Sequence, residues 1–230
     1  MLTLNRRNAA GLLFSHAMAS ALAVALLAGC ASTGYQRGDI AAVSMQRAAG
    51  EVQAEGHALD HTIASLGNLV ATSDGDLRLP FKRYSRSLDQ LIANAQRTEN
   101  TGRTMEQKSA EYIQVWDAQL QTIEYQHIRD LSEARRNEVT NRMETINRRY
   151  QESQAAVQPL ISYLQDIRKA LSTDLTAAGL VSLKPIVQNA NDNVTKVQMA
   201  LAALTEELTN SSARLSSIAY QTAPESPANQ

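Results

Sequence analysis

The chain has 230 residues with 22 basic and 23 acidic side chains, a formal net charge of −1, so no basic surplus exists to hold nucleic acid. Its aromatic content, 4%, is lean for the wall of a ligand pocket. Gly and Pro are few and leave long stretches uninterrupted, which excludes a turn-rich β-fold and points to long helices.

Residues 1–29 have the layout of an export signal. Arg6 and Arg7 stand in an N-terminal region free of acids, an apolar run is densest over Ala17–Leu27, and small residues follow. The apolar run is too short to cross a membrane as a helix. It ends in Leu27-Ala28-Gly29-Cys30, which has the form of a bacterial lipobox, and Cys30 is the single cysteine of the chain. A thiol that carries lipid needs no disulfide partner. Each buried methylene contributes about 0.8 kcal/mol, so two or three acyl chains hold where one does not. The expected mature protein starts at Cys30 with a short linker over 30–38, and its formal net charge is −3, because cleavage removes Arg6 and Arg7 and no acid. Ala31, not Asp, follows the cysteine, which favours the outer membrane, facing the periplasm. The membrane, reached through lipidated Cys30, is the first expected partner.

From Asp39 to Ala71, apolar residues recur at steps of three and four through Ala42, Met45, Ala49, Val52, Gly56, Leu59, Ile63, Leu66 and Val70. This predicts a helix over 39–71 that ends in the turn-forming cluster Thr72–Asp76. A second pattern starts near 77 with Pro80 in its first turn and passes through Tyr84, Leu88, Leu91, Ala95, Thr98, Gly102, Met105, Ser109 and Trp116. A hairpin centred near Gly75 sets Ala49 against Gly102 and Gly56 against Ala95, small residues that bring two backbones close or leave room for a third helix.

Between Trp116 and Val139 the phase drifts, in the manner of a coiled-coil stutter, without a Gly or Pro to break the helix. Residues 77–174 therefore read either as one rod or as two helices folded back near 126–133, with His127 packed at the stutter. The pattern sharpens again from Val139 to Leu171, with a kink expected at Pro159. A last helix over 177–218 follows an N-cap at Thr176, with a kink or restart at Pro185. Its seam from Val187 to Ile218 is the cleanest heptad in the chain. The tail 219–230 is polar, has two prolines and no period, and reads as disordered. The fold class is all-α, with antiparallel helical hairpins forming a coiled-coil bundle over 39–218.

Chemistry-bearing candidates are few. His57 and His61, four apart on a helix, have a metal-chelating spacing but lack a third ligand and fall away from the seam. Asp74-Gly75-Asp76 resembles the start of a calcium loop, yet Arg78 and Ser85 occupy the fifth and twelfth positions, so a turn and helix cap is expected. Arg135, Arg136, Arg142, Arg148 and Arg149 form a mildly basic surface suited to an acidic docking partner, with Glu138–Arg142 and Glu144–Arg148 spaced as i,i+4 pairs. No nucleophile elbow, zinc-protease motif or phosphate-binding loop occurs, and no cofactor or enzymatic activity is expected.

With Cys30, "YQRGDI", the long heptads and "LQDIRKALSTDLTAAGLVSL" in that order, the chain resembles uncharacterised bacterial lipoproteins that carry a helical domain of unknown function. Gly38 splits Arg37 from Asp39 where such proteins tend to run the charges together, and Ala170, Ser172 and Thr173 stand where they tend to have Lys, His and Asn. The resemblance implies the helical fold and the envelope location, and no activity. The expected function is a lipid-anchored scaffold or adaptor acting through coiled-coil surfaces, by self-association or with an envelope protein. The alternatives are a binding module, with an apolar groove near Thr98, Gly102 and Ser109 for a lipid or an unfolded exported chain, and a weak metal binder at His57 and His61.

Overall fold

A computed structural model describes residues 33–72 and 75–218, apart from the side chains of residues 191 and 192. The signal segment 1–29, Leu27, Ala28, Gly29, Cys30 and the tail 219–230 lie outside the described residues. Residues 34–230 form a unit of their own, and the following account concerns it alone. It contains four helices, α1 (Gly34–Ala71), α2 (Arg78–Leu120), α3 (Gln126–Thr173) and α4 (Ala177–Leu215), and no strand among the described residues.

Each helix runs beside two others and diagonally across from the third: α1 and α3 both neighbour α2 and α4, and diagonal helices meet only through side chains in the core. This is an up-down-up-down four-helix bundle with short connections. Ties between neighbours fix the register. The Thr98 hydroxyl donates to the Glu51 carbonyl at 3.2 Å, the Tyr84 hydroxyl to the Leu164 carbonyl at 2.6 Å, the Tyr163 hydroxyl to the Ile186 carbonyl at 3.0 Å, and the Ser212 hydroxyl to the Ala42 carbonyl at 2.8 Å.

Of the two readings of residues 77–174, the folded-back one holds, and the reversal lies at Gln121–Tyr125, just ahead of the expected 126–133. The turn needs neither Gly nor Pro. Thr122 and Ile123 donate their N–H groups to the Gln119 and Leu120 carbonyls at 3.0 and 3.3 Å, and Arg129 reaches back to the Ile123 carbonyl at 3.0 Å. Two cross-helix ties then hold α3 against α2. The Trp116 indole donates to the Ser132 hydroxyl at 3.0 Å, and the Arg136 guanidinium grips both oxygens of Asp117 at 2.8 and 2.7 Å. His127, expected to be packed at a stutter, is instead exposed in the first turn of α3, because the chain reverses before reaching it.

The start of α1 shifts, and one alternative at Pro185 is decided. α1 begins at Gly34, five residues before Asp39, so most of the supposed linker is helical. Gly38 does not delay it, since the Tyr112 ring lies 3.3 Å from where a Cβ would be, and this packing outweighs the low helix propensity of glycine. α3 and α4 continue as helix through Pro159 and Pro185, without a restart. The N-cap at Thr176 is as expected, its hydroxyl accepting from the Gly179 N–H at 3.1 Å. Gly75 turns the α1–α2 connection at a φ of +104°, a conformation that favours glycine.

The small residues also work differently from a simple two-helix contact. A Cβ on Gly56 would approach Leu201 of α4, not Ala95 of α2. Gly102 is the notch that admits the third helix. The Tyr150 ring of α3 lies directly over it, with its hydroxyl oxygen 2.6 Å from the position a Cβ would take. That hydroxyl donates to the Thr98 carbonyl. The seams are consumed inside the chain: Val139, Ile146, Leu164 and Leu171 of α3 and Val197, Leu204 and Leu208 of α4 are all buried.

Replacing Gly102 with Ala will destabilise the bundle by about 1–3 kcal/mol, as expected for overpacking at a site with no room. In urea unfolding, Gly102→Ala and Tyr150→Ala will be strongly non-additive, since the second substitution removes the ring with which the first collides. Additive effects would mean that the ring does not occupy the notch.

Candidate functional site: a buried carboxyl at the bundle centre

The innermost stripe of α1 is Ala41, Met45, Ala48, Val52, Glu55, Leu59, Thr62, Leu66 and Leu69, with steps alternating between four and three, and every member is buried. Glu55 is therefore a core residue by spacing, and its exposure is 0%. Side chains from the other three helices close over it, among them Leu91 of α2, Leu160 and Val157 of α3, and Val197 and Leu201 of α4. The space left between them is too narrow for a water molecule.

Neither carboxyl oxygen of Glu55 has a hydrogen-bond partner among the described residues. The nearby Thr98 hydroxyl favours the charged form to a small extent, but it is directed at the Glu51 carbonyl and does not complete a bond to the carboxyl. Desolvation dominates and raises the affinity of Glu55 for its proton above that of an ordinary glutamate. The carboxyl is thus biased toward its neutral form. On the α2–α3 side, burial pushes the Tyr150 phenol upward as well, and the Glu55 charge adds to that shift. Thr98 joins the layer together, its side chain bonded to α1 and its carbonyl receiving the tyrosine of α3.

A general acid must reach the group it protonates. Glu55 reaches only side chains of its own bundle, so its chemistry is that of an ionisable group inside an apolar core. The sequence reading passed over it in favour of Gly56, although Val52, Glu55 and Leu59 keep the three-four spacing. The signal was present, in the form of a charged residue at a core position.

His57 and His61 are exposed on α1, and no group of three or more metal-ligating side chains occurs among the described residues. His57 lines a groove of about 520 Å³ between α1 and α4, floored by Val52, Leu201 and Ala202 and edged by Asp60, Gln198 and Glu206. At the opposite seam, a groove of about 230 Å³ opens beside Gly102, with Met105 and Tyr150 in its lining. Thr98 and Ser109 are buried, Tyr150 fills the notch, and the shallow groove outside is edged by Glu99, Arg103, Glu106 and Asn147.

The basic surface is largely neutralised by its own carboxylates. Arg135 and Arg142 share Glu138 at 2.5 and 3.2 Å, Arg136 pairs with Asp117, and Arg148 and Arg149 share Glu152 at 4.0 and 3.0 Å. Glu144, expected to pair with Arg148, yields that place to Glu152. Asp76 binds the Arg78 guanidinium at 2.8 Å and its N–H at 3.0 Å from one residue ahead of the N-cap, Leu77, which makes no side-chain capping bond.

The geometry defines the class: a four-helix bundle with one uncompensated acid in its centre. By sequence the chain belongs to a family described as protein of unknown function (DUF2959), whose model matches residues 28–216. No curated protein and no solved structure matches the chain.

The raised proton affinity of Glu55 has a defined sign. Unfolded, the carboxyl releases its proton near its ordinary value of 4.5, whereas the folded protein must retain it or bury a charge. Its effect on stability is absent below that pH and grows as pH rises toward the folded value, so folding weakens from acid to neutral. Removing the group with Glu55→Leu will raise stability at about pH 7.5 by ~1–3 kcal/mol and have little effect at about pH 4. The wild-type-minus-variant difference isolates this group from Asp39, Asp76, Glu111 and Glu138, whose carboxyls are shifted the opposite way. A pH-independent difference in urea midpoint would refute the assignment.

Proposed function

We propose that the protein is a lipid-anchored component of the cell envelope, held by acylated Cys30 at the outer membrane and facing the periplasm. There it acts as a scaffold or adaptor through its helical surfaces, without catalysis. The observation that carries this reading is the start of α1 at Gly34, four residues after Cys30. Four residues span at most about 14 Å, so an anchor at Cys30 ties a rigid bundle directly to the membrane, with no long tether. From there α1 alone extends over its 38 residues, about 57 Å at ~1.5 Å each. The family match runs from residue 28 and takes in Cys30, while most of the signal-like segment falls outside it.

Because the heptad seams are filled within the chain, no seam requires a partner helix to cover it. An adaptor of this form reads its partner with its outer faces or its ends. A second reading, a binding module, is favoured by the α1–α4 groove, whose apolar floor and polar edges suit an extended peptide or a lipid chain. Weak metal binding at His57 and His61 would fall at the edge of the same groove.

Cys30→Ala will lose the acyl modification seen by mass spectrometry of the wild-type protein and will move from the membrane fraction to the soluble envelope fraction. Crosslinking and affinity capture of the tagged wild type, with Cys30→Ala as control, will recover a defined envelope partner or the protein itself only when the anchor is present. Retention of Cys30→Ala in the membrane fraction would contradict the anchor.

A further inference from the structure

The large apolar residues left exposed on the bundle are not scattered. Tyr35, Ile40, Val43, Tyr125, Ile128, Leu131 and Ile218, seven of the ten, gather at the end where α1 begins, α2 turns into α3 and α4 stops. Leu79 and Val181 lie toward the other end and Met199 between them.

At that end the α2–α3 hairpin outruns the other two helices. Gly34, the first residue of α1, lies level with Val115 of α2, and Arg214, at the end of α4, is met by Arg135 of α3. Residues 116–134 therefore project beyond the level at which α1 and α4 give out. Ile128 falls eleven residues before the buried Val139, a rotation of only about 20° at ~100° per residue. The core-facing stripe of α3 thus continues onto the projecting tip, where none of the described helices covers it. Tyr125, Ile128 and Leu131 are 75%, 55% and 61% exposed there.

We propose that this tip is a membrane-contacting surface, seated in the interface of the same lipid leaflet that holds the acylated Cys30. The inference rests on the anchor reading above. In a chain cut before Cys30, only four residues precede Gly34, too few to cover the tip, and they tie the anchor to the end of the bundle from which the tip projects. Glu124, Asp130 and Glu133 stand on the tip with Arg129 and give it no cationic character, so the contact is apolar and does not depend on anionic headgroups.

The test uses the full mature lipoprotein, whose single native thiol is occupied by lipid. Ile128→Cys then offers a unique site for an environment-sensitive fluorophore, and Val181→Cys serves as the far-end control. Each is reconstituted into phosphatidylethanolamine–phosphatidylglycerol or phosphatidylcholine vesicles, with or without brominated acyl chains. Emission from position 128 will shift to the blue and fall about twofold or more in brominated vesicles of either composition, while position 181 stays unchanged. Adding Tyr125→Asp and Leu131→Asp will abolish the quenching, yet the protein will still float with the vesicles through Cys30. Flotation with an unquenched label at position 128 overturns the tip contact and leaves the anchor standing. That result with crosslinks between copies through position 128 assigns the tip to a second copy, and with protection lost on removal of residues 219–230 assigns it to the tail. A mature protein that does not float overturns the anchor reading and this inference with it.

Discussion

α3 is docked on α2 by an aromatic ring laid over a glycine. Tyr150 has room only because Gly102 has no side chain, and its hydroxyl is then delivered to the Thr98 carbonyl. With α3 seated there, α4 returns along α1, and the Ser212 hydroxyl reaches the Ala42 carbonyl at 2.8 Å. The closed ring of four helices buries Glu55 from every side. A chain extended through residue 120 would leave α1 and α2 as an open pair with the Glu55 face exposed to water. The fold-back and the notch thus bring α3 over the face of α1 that carries the buried acid.

An ionisable residue at a heptad core position is costly to bury, and here no partner offsets the cost. Desolvation favours the neutral form over the charged one and so raises the proton affinity of Glu55. The groups around the carboxyl are Thr98 from α2, Tyr150 from α3 and aliphatic side chains from α3 and α4, with no cation among them to hold the anion. The surface behaves in the opposite way. Carboxylates such as Glu111 and Glu138 are stabilised as anions by Lys108, Arg135 and Arg142, exposed pairs that contribute little to stability.

The sequence was most legible where apolar periodicity was strong. The α2 seam from Tyr84 to Ser109, the α3 seam from Val139 to Leu171 and the α4 seam from Val187 to Ser211 are buried or half-buried at the expected positions, and Ala71 and Thr176 mark helix boundaries as read. What escaped was of three kinds. The exact place of the reversal, Gln121–Tyr125, carries no Gly or Pro and is set by side-chain bonds across the turn, Arg129 to Ile123 and Trp116 to Ser132. The early start of α1 rests on Tyr112 packing over Gly38, a contact between residues 74 apart. Glu55 escaped because Gly56, its neighbour at nearly the same phase, fills the seam position in the three-four pattern. Periodicity reports which stripe a helix buries, but not which helix covers it, so it sets both Gly56 and Gly102 across the α1–α2 hairpin, whereas Leu201 of α4 meets the first and Tyr150 of α3 the second.

With the proposed anchor at Cys30 joined to the end of the bundle from which the apolar tip projects, the helices are expected to stand on the membrane instead of lying along it. Neutron reflectometry of the mature lipoprotein on a supported bilayer measures this directly. Upright bundles give a protein layer about 60 Å thick that begins at the headgroups, with no water gap beneath it. A layer about 20–25 Å thick, the width of two helices side by side, or a hydrated gap under a tethered bundle, would contradict it.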